Sequence, residues 1–122
     1  MADIKPFCSI RPGKGLEAKV AALPYDVYNR QEAKEAVKGN PLSFLNIDRA
    51  ETGLADEVDT YDPQVYERAQ QLLNSQIADG TYIRDEEPCY YLYELTMQGR
   101  SQTGIVACAS VDDYLSGVIM KH

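Results

Sequence analysis

The sequence has no tryptophan, and its one histidine, His122, is the last residue. A histidine-based relay could be built only at the very end of the chain, and none of the spacings GxSxG, HExxH or GxGxxG occurs. Cysteine is scarce and odd in number. Cys8, Cys89 and Cys108 show no CxxC or Cys/His spacing, which argues against both a disulfide framework and a zinc site. No apolar run approaches the length of a membrane span, and Met1 to Pro6 lacks the basic start and apolar stretch of a secretory signal. A cytoplasmic location with no membrane partner is the expectation. Positive charge is also in deficit: the formal charge of -7 repels a polyanion at long range and disfavours non-specific nucleic-acid binding.

What is present is the makeup of a globular protein. With 44% hydrophobic and 25% charged residues, 122 positions suffice for a single domain whose core needs no disulfide or metal staple. Ile4 to Ile10 reads as a short edge strand that tolerates Pro6. Arg11 to Gly15 reads as a turn without the phosphate-loop spacing. Leu16, Val20 and Leu23 share one face of two helical turns that Pro24 ends. Asn29-Arg30-Gln31-Glu32 forms a capping box for a helix that packs Ala33, Ala36 and Val37 and stops at Gly39. Leu42 to Ile47 alternates as a buried strand does. The acidic stretch from Asp48 to Asp62 carries a single Arg49 and reads as a solvated loop, because the spacing of a calcium loop is absent.

Asp62-Pro63 opens the clearest helix, with Val65, Ala69, Leu72, Leu73 and Ile77 as its apolar stripe and Gly80 as its end. Thr81 to Ile83 is a short strand. Cys89 to Met97 and Ser101 to Val111 are the strongest strand pair, rich in Tyr, Leu, Ile and Val. A three-residue loop, Gln98-Gly99-Arg100, would set Cys89 opposite Ala109 and Cys108 opposite Tyr90, on opposite faces. The three thiols are then reduced and buried or half-buried. Asp112 is a candidate N-cap for a last helical pattern through Val111, Tyr114, Leu115, Val118 and Ile119, which breaks off at Met120 as in the N-terminal piece of a longer protein. The fold class is therefore α/β or α+β: a small mixed sheet with a central antiparallel hairpin (about 88-111) and two main helices (about 29-38 and 63-79).

A site is sought first at Ala22-Leu23-Pro24-Tyr25-Asp26-Val27, where a rigid proline, a phenol and a carboxylate lie between two helical patterns. The plain alternative is a satisfied turn, in which Asp26 bonds a nearby N–H. Around it stand Arg11, the polar set Asn40, Ser43 and Asp48, and Ser101-Gln102-Thr103-Gly104, for most of which caps and turn bonds are the simpler explanation.

Taken together, Ile4-Lys5-Pro6-Phe7, Ile10-Arg11-Pro12, the run from Val20 to Val27, Gly39-Asn40-Pro41-Leu42-Ser43-Phe44-Leu45 and Ser101 to Cys108 resemble one family. The chain is similar to the N-terminal part of bacterial and archaeal proteins grouped as the domain of unknown function family DUF1015, over essentially all its length. More distantly it is similar to the ParB/sulfiredoxin-like superfamily, whose members bind nucleotides and include a free-serine kinase. That resemblance implies a nucleotide-binding or phosphotransferase-type domain using ATP or another nucleotide with Mg2+. Asp26 would be the catalytic base or magnesium holder, and Arg11, Pro24, Tyr25, Asn40, Ser43, Lys121 and His122 would bind the ligand. The alternative is a non-catalytic regulatory or protein-interaction domain that self-associates through its C-terminal segment.

Overall fold

Pro6 has no N–H to give to a strand ladder, and pairing breaks around it. The expected single edge strand is instead β1 (Ile4–Lys5), an isolated bridge from Phe7 to Cys89, and β2 (Ile10–Pro12). The computed structural model describes residues 1–120. They form two compact units, one running from Arg11 to Ile83 and the other joining Met1–Ile10 to the chain from Arg84 onward. The mixed α/β class is as the sequence predicts, but the strands form three separate two-stranded sheets in place of one mixed sheet centred on the hairpin.

In the Arg11–Ile83 unit the backbone of Gly13 lies against residues 80–81. Its N–H donates to the Thr81 carbonyl at 2.7 Å, and a Cβ at Gly13 would stand 2.8 Å from the Gly80 oxygen. The obstacle is main chain, which cannot swing aside as a side chain can. Gly13→Ala is expected to cost about 1–3 kcal/mol, read as a lower urea midpoint; an unchanged midpoint would refute this close approach.

Helix α1 (Glu17–Val20) is half the length that its apolar spacing predicts. Its last carbonyls are taken early: Asn40 Nδ2 donates to Lys19 O at 2.8 Å and the Phe44 N–H to Val20 O at 2.9 Å. Leu23 is consequently exposed and not on a buried face. Helix α2 (Arg30–Val37) opens with both bonds of the capping box, Asn29 Oδ1 accepting from Glu32 N–H at 2.9 Å and Glu32 Oε2 from Asn29 N–H at 2.8 Å. Ala33 is fully buried, whereas Ala36 is exposed.

The predicted strand over Leu42 to Ile47 is a turn followed by α3 (Leu45–Asp48). Asn46 Nδ2 donates to both Asn40 O and Ser43 O at 3.0 Å and coils the chain. Such a local side-chain bond outcompetes the alternation of apolar residues. The acidic stretch is ordered. Arg30 reaches from α2 to the carbonyls of Val58 (2.7 Å) and Ala55 (3.0 Å), and Lys34 pairs with Asp56, holding that carboxyl below its usual range. Helix α4 (Pro63–Ala78) starts with Asp62 accepting from the Gln64 N–H at 3.0 Å. Its stripe turns inward, with Val65 buried and Ala69, Leu72, Leu73 and Ile77 half-buried. Strand β3 (Tyr82–Arg84) pairs with β2. The buried apolar residues Val20, Ala33, Leu45, Ala50, Val65 and Tyr82 all belong to this unit.

The other unit carries β4 (Tyr91–Met97) and β5 (Arg100–Val106) as an antiparallel hairpin, and β6 (Cys108–Ala109) pairs with β1. The hairpin loop has two residues, not three. Gln98 and Gly99 both take positive φ, 51° and 76°, and Met97 faces Arg100. That is the turn whose twist suits a tight hairpin, and it shifts the register by one. The hairpin ladder ends where Tyr91 faces Val106, short of both cysteines; Cys108 instead faces Lys5, and Cys89 bridges Phe7. All three thiols are free; Cys8 is half-buried, while Cys89 and Cys108 are exposed and not sheltered as predicted.

Tyr91 is this unit's anchor. Its hydroxyl lies 2.5 Å from Asp85 Oδ2 and 3.0 Å from the Phe7 carbonyl, and it accepts the Ser9 N–H at 3.0 Å. Most of the hairpin is exposed, with Leu92 at 78% and Ile105 at 72%. The last helix, α5 (Val111–Leu115), is capped by Ser110 and not by Asp112. No helix among the described residues is long and apolar enough to cross a membrane.

Candidate functional site

Pro24, extended at φ -53° and ψ 146°, delivers the chain into a single 3-10 turn over Tyr25–Val27, closed by the Val27 N–H on the Pro24 carbonyl at 3.1 Å. Three residues of 3-10 helix have little stability of their own. The turn is held from outside by Arg49, whose Nη1 donates to the carbonyls of Tyr25 (3.1 Å) and Tyr28 (2.8 Å). Arg49 Nε in turn donates to Glu51 Oε1 at 2.6 Å, and Glu51 is only 1% exposed. Arg49 sits between α3 and the 3-10 turn Ala50–Gly53, where φ -122° and ψ 60° end one element and begin the next.

The result is a cavity of about 400 Å³ with Tyr25 and Asp26 on one wall, Asp48, Arg49 and Glu51 on another, and Thr60, Tyr61 and Tyr66 completing it toward α4. Asp26 and the three tyrosines are exposed and able to meet a ligand. The volume lies within the range of small-molecule sites. Chemically the cavity offers carboxylate acceptors, phenol hydroxyls and ring faces. Among the described residues no cluster of three or more His, Cys, Asp or Glu is able to hold a metal.

Only part of the predicted site comes together here. Tyr25 and Asp26 do. Pro24 sets the entry to the turn and is exposed, without lining the cavity. Asn40 and Ser43 line a different hollow of about 390 Å³, with Ala21, Ala22, Leu23 and Tyr28, so residues 21–28 contribute to both. Their polar atoms serve the fold: Asn40 caps α1, and Ser43, buried, accepts the Leu45 N–H at 3.4 Å. Arg11 is an exposed residue of β2 and lines neither hollow. Lys121 and His122 lie outside the described residues.

Sequence reading missed Arg49, Glu51, Tyr61 and Tyr66. One signal was available for the first two, since a lone arginine in an acidic run has its counter-charge two positions away.

Residues 4–122 match the profile of DUF1015, described as a protein of unknown function. The chain belongs to that family. The resemblance carried by Pro24-Tyr25-Asp26 and the other separated motifs is thereby shown at the level of DUF1015. No curated protein and no solved structure matches this DUF1015 chain.

Proposed function

We propose that this DUF1015 domain binds a nucleotide in the Tyr25–Asp26 cavity. The observation that carries the reading is the cavity itself, about 400 Å³ and lined by Asp26 together with the exposed Tyr25, Tyr61 and Tyr66. The more distant ParB/sulfiredoxin-like resemblance points the same way. Asp26 is the group best placed for chemistry: an exposed carboxylate on a turn fixed by Arg49 can orient a hydroxyl or accept its proton. A phosphotransferase is the catalytic form of this reading.

Calorimetric titration of the full-length protein with ATP, ADP and CTP in the presence of Mg2+ tests it. Saturable heat is expected with at least one nucleotide. Asp26→Asn should weaken it by roughly tenfold or more, as befits loss of a hydrogen bond to a charged group. Absence of heat with all three, or affinity indifferent to Asp26→Asn, would sink the reading.

A second reading, a regulatory or protein-interaction domain, is favoured by one observation. Val111, Leu115 and Val118 of the C-terminal segment are 69%, 75% and 50% exposed. Apolar surface of this kind ordinarily meets a partner. Sedimentation should then show concentration-dependent association, and a strict monomer at all concentrations would count against it.

A further inference from the structure

We infer that the Tyr25–Asp26 cavity receives the sugar and base of a nucleotide and leaves its phosphates outside. This rests on the nucleotide reading and narrows it to one end of the ligand.

The charges on the wall decide the orientation. Among the described residues Arg49 is the only cationic one lining the cavity, and its Nε and both protons of Nη1 are committed to Glu51, Tyr25 O and Tyr28 O. Its charge is balanced by the buried Glu51 carboxylate. Asp26 and Asp48 add two further acidic groups to the same cavity. A phosphate entering there would meet three carboxylates, those of Asp26, Asp48 and Glu51, against the one guanidinium of Arg49, which is already paired with Glu51. Like charges a few ångströms apart repel one another even at an effective dielectric constant of about 20. The phosphate therefore stays in solvent.

A ribose has the opposite requirement. Its hydroxyls are donors, and carboxylates accept from them in short charge-assisted bonds. The rings supply the rest: Tyr25, Tyr61 and Tyr66 are 57%, 79% and 59% exposed at the cavity rim. Base–aromatic stacking tolerates any base, because every base has a π-face. Hydroxyl donors beside a flat aromatic face are what a nucleoside brings.

The experiment compares adenosine, its dideoxy analogue, ATP with Mg2+ and inorganic phosphate as ligands of the full-length protein, by calorimetry and by competition. Adenosine should bind within a few-fold of ATP, the dideoxy analogue roughly tenfold more weakly, and inorganic phosphate should displace neither. Tyr61→Leu and Asp48→Asn should each weaken adenosine several-fold, while Tyr61→Phe, which keeps the ring, should not. If ATP binds but adenosine does not, or if phosphate displaces ATP, the orientation is wrong while the nucleotide reading stands. If none of the nucleosides or nucleotides binds, both fall. Binding indifferent to Tyr61→Leu and Asp48→Asn lies outside this cavity and overturns the inference.

Discussion

Arg49→Ala is expected to destabilise the Arg11–Ile83 unit by about 3–5 kcal/mol, the cost of leaving a buried carboxylate without its counter-charge. Glu51 is 1% exposed and Arg49's side chain 14%, so solvent does little to screen the pair. The guanidinium also satisfies the carbonyls of Tyr25 and Tyr28, which lose their donor in the variant. The loss is comparable to the whole stability of many domains. Urea unfolding would show it as a large drop in midpoint. The double variant Arg49→Ala/Glu51→Ala removes the orphaned charge along with its partner, and it should recover part of the loss. A single variant within about 1 kcal/mol of wild type would mean that the pair is not buried as described. Amide exchange adds a local readout: protection at Val27, whose N–H closes the 3-10 turn on Pro24, should fall more than protection at Ala33.

This dependence explains why the site was only half legible. Pro24-Tyr25-Asp26 advertises a turn between helices, and a turn is what forms. What cannot be read from those three residues is that a 3-10 turn of such length needs an external clamp. That clamp comes from more than twenty positions downstream. In the sequence Glu51 is one acid among many and looks solvated. In the fold it is the most buried charge, because Arg49 two residues earlier turns it inward. For Asn40 and Ser43 the plain reading of caps and turn bonds is the one seen: their bonds go to main chain at the end of α1 and the start of α3.

Fold elements were legible where local chemistry decides the outcome. Asn29 with Glu32, and Asp62 with Pro63, satisfy the first N–H groups of α2 and α4 by side chains within a few residues, so their starts follow from spacing alone. The hairpin followed from β-branched and aromatic content. Its register did not, because a Gln98-Gly99 pair can serve a two- or three-residue loop, and the choice turned on Gln98 accepting φ 51°. Leu42 to Ile47 misled for a different reason: alternation over six residues fits a strand, but Asn46 donating to Asn40 O and Ser43 O coils the segment. Long-range capping likewise shortened α1, which no reading of Leu16 to Leu23 alone could foresee.

Leu45→Ala is the other substitution with a large expected effect, about 2–5 kcal/mol. Leu45 and Glu51 are the largest fully buried side chains among the described residues, and they stand at the start of α3 and just after its end. One anchors the helix by apolar packing and the other by charge. A four-residue helix has too few hydrogen bonds to persist without such anchors. Truncating Leu45 removes the transfer term and adds a cavity term, and the size of the second depends on whether the site collapses. Leu45 already borders the hollow of about 390 Å³ shared with Asn40 and Ser43, so the lost side chain enlarges a space that solvent can enter. Entry of water would relieve part of the cavity cost and place the result toward the lower end of the range. An unfolding free energy from urea titration lowered by under about 1 kcal/mol would show that α3 is not held by this residue. Because Arg49 follows α3 directly, Leu45→Ala should also loosen the Tyr25–Val27 turn. The test is whether it weakens nucleotide binding at temperatures where the variant remains folded, while Leu92→Ala on the exposed hairpin does not.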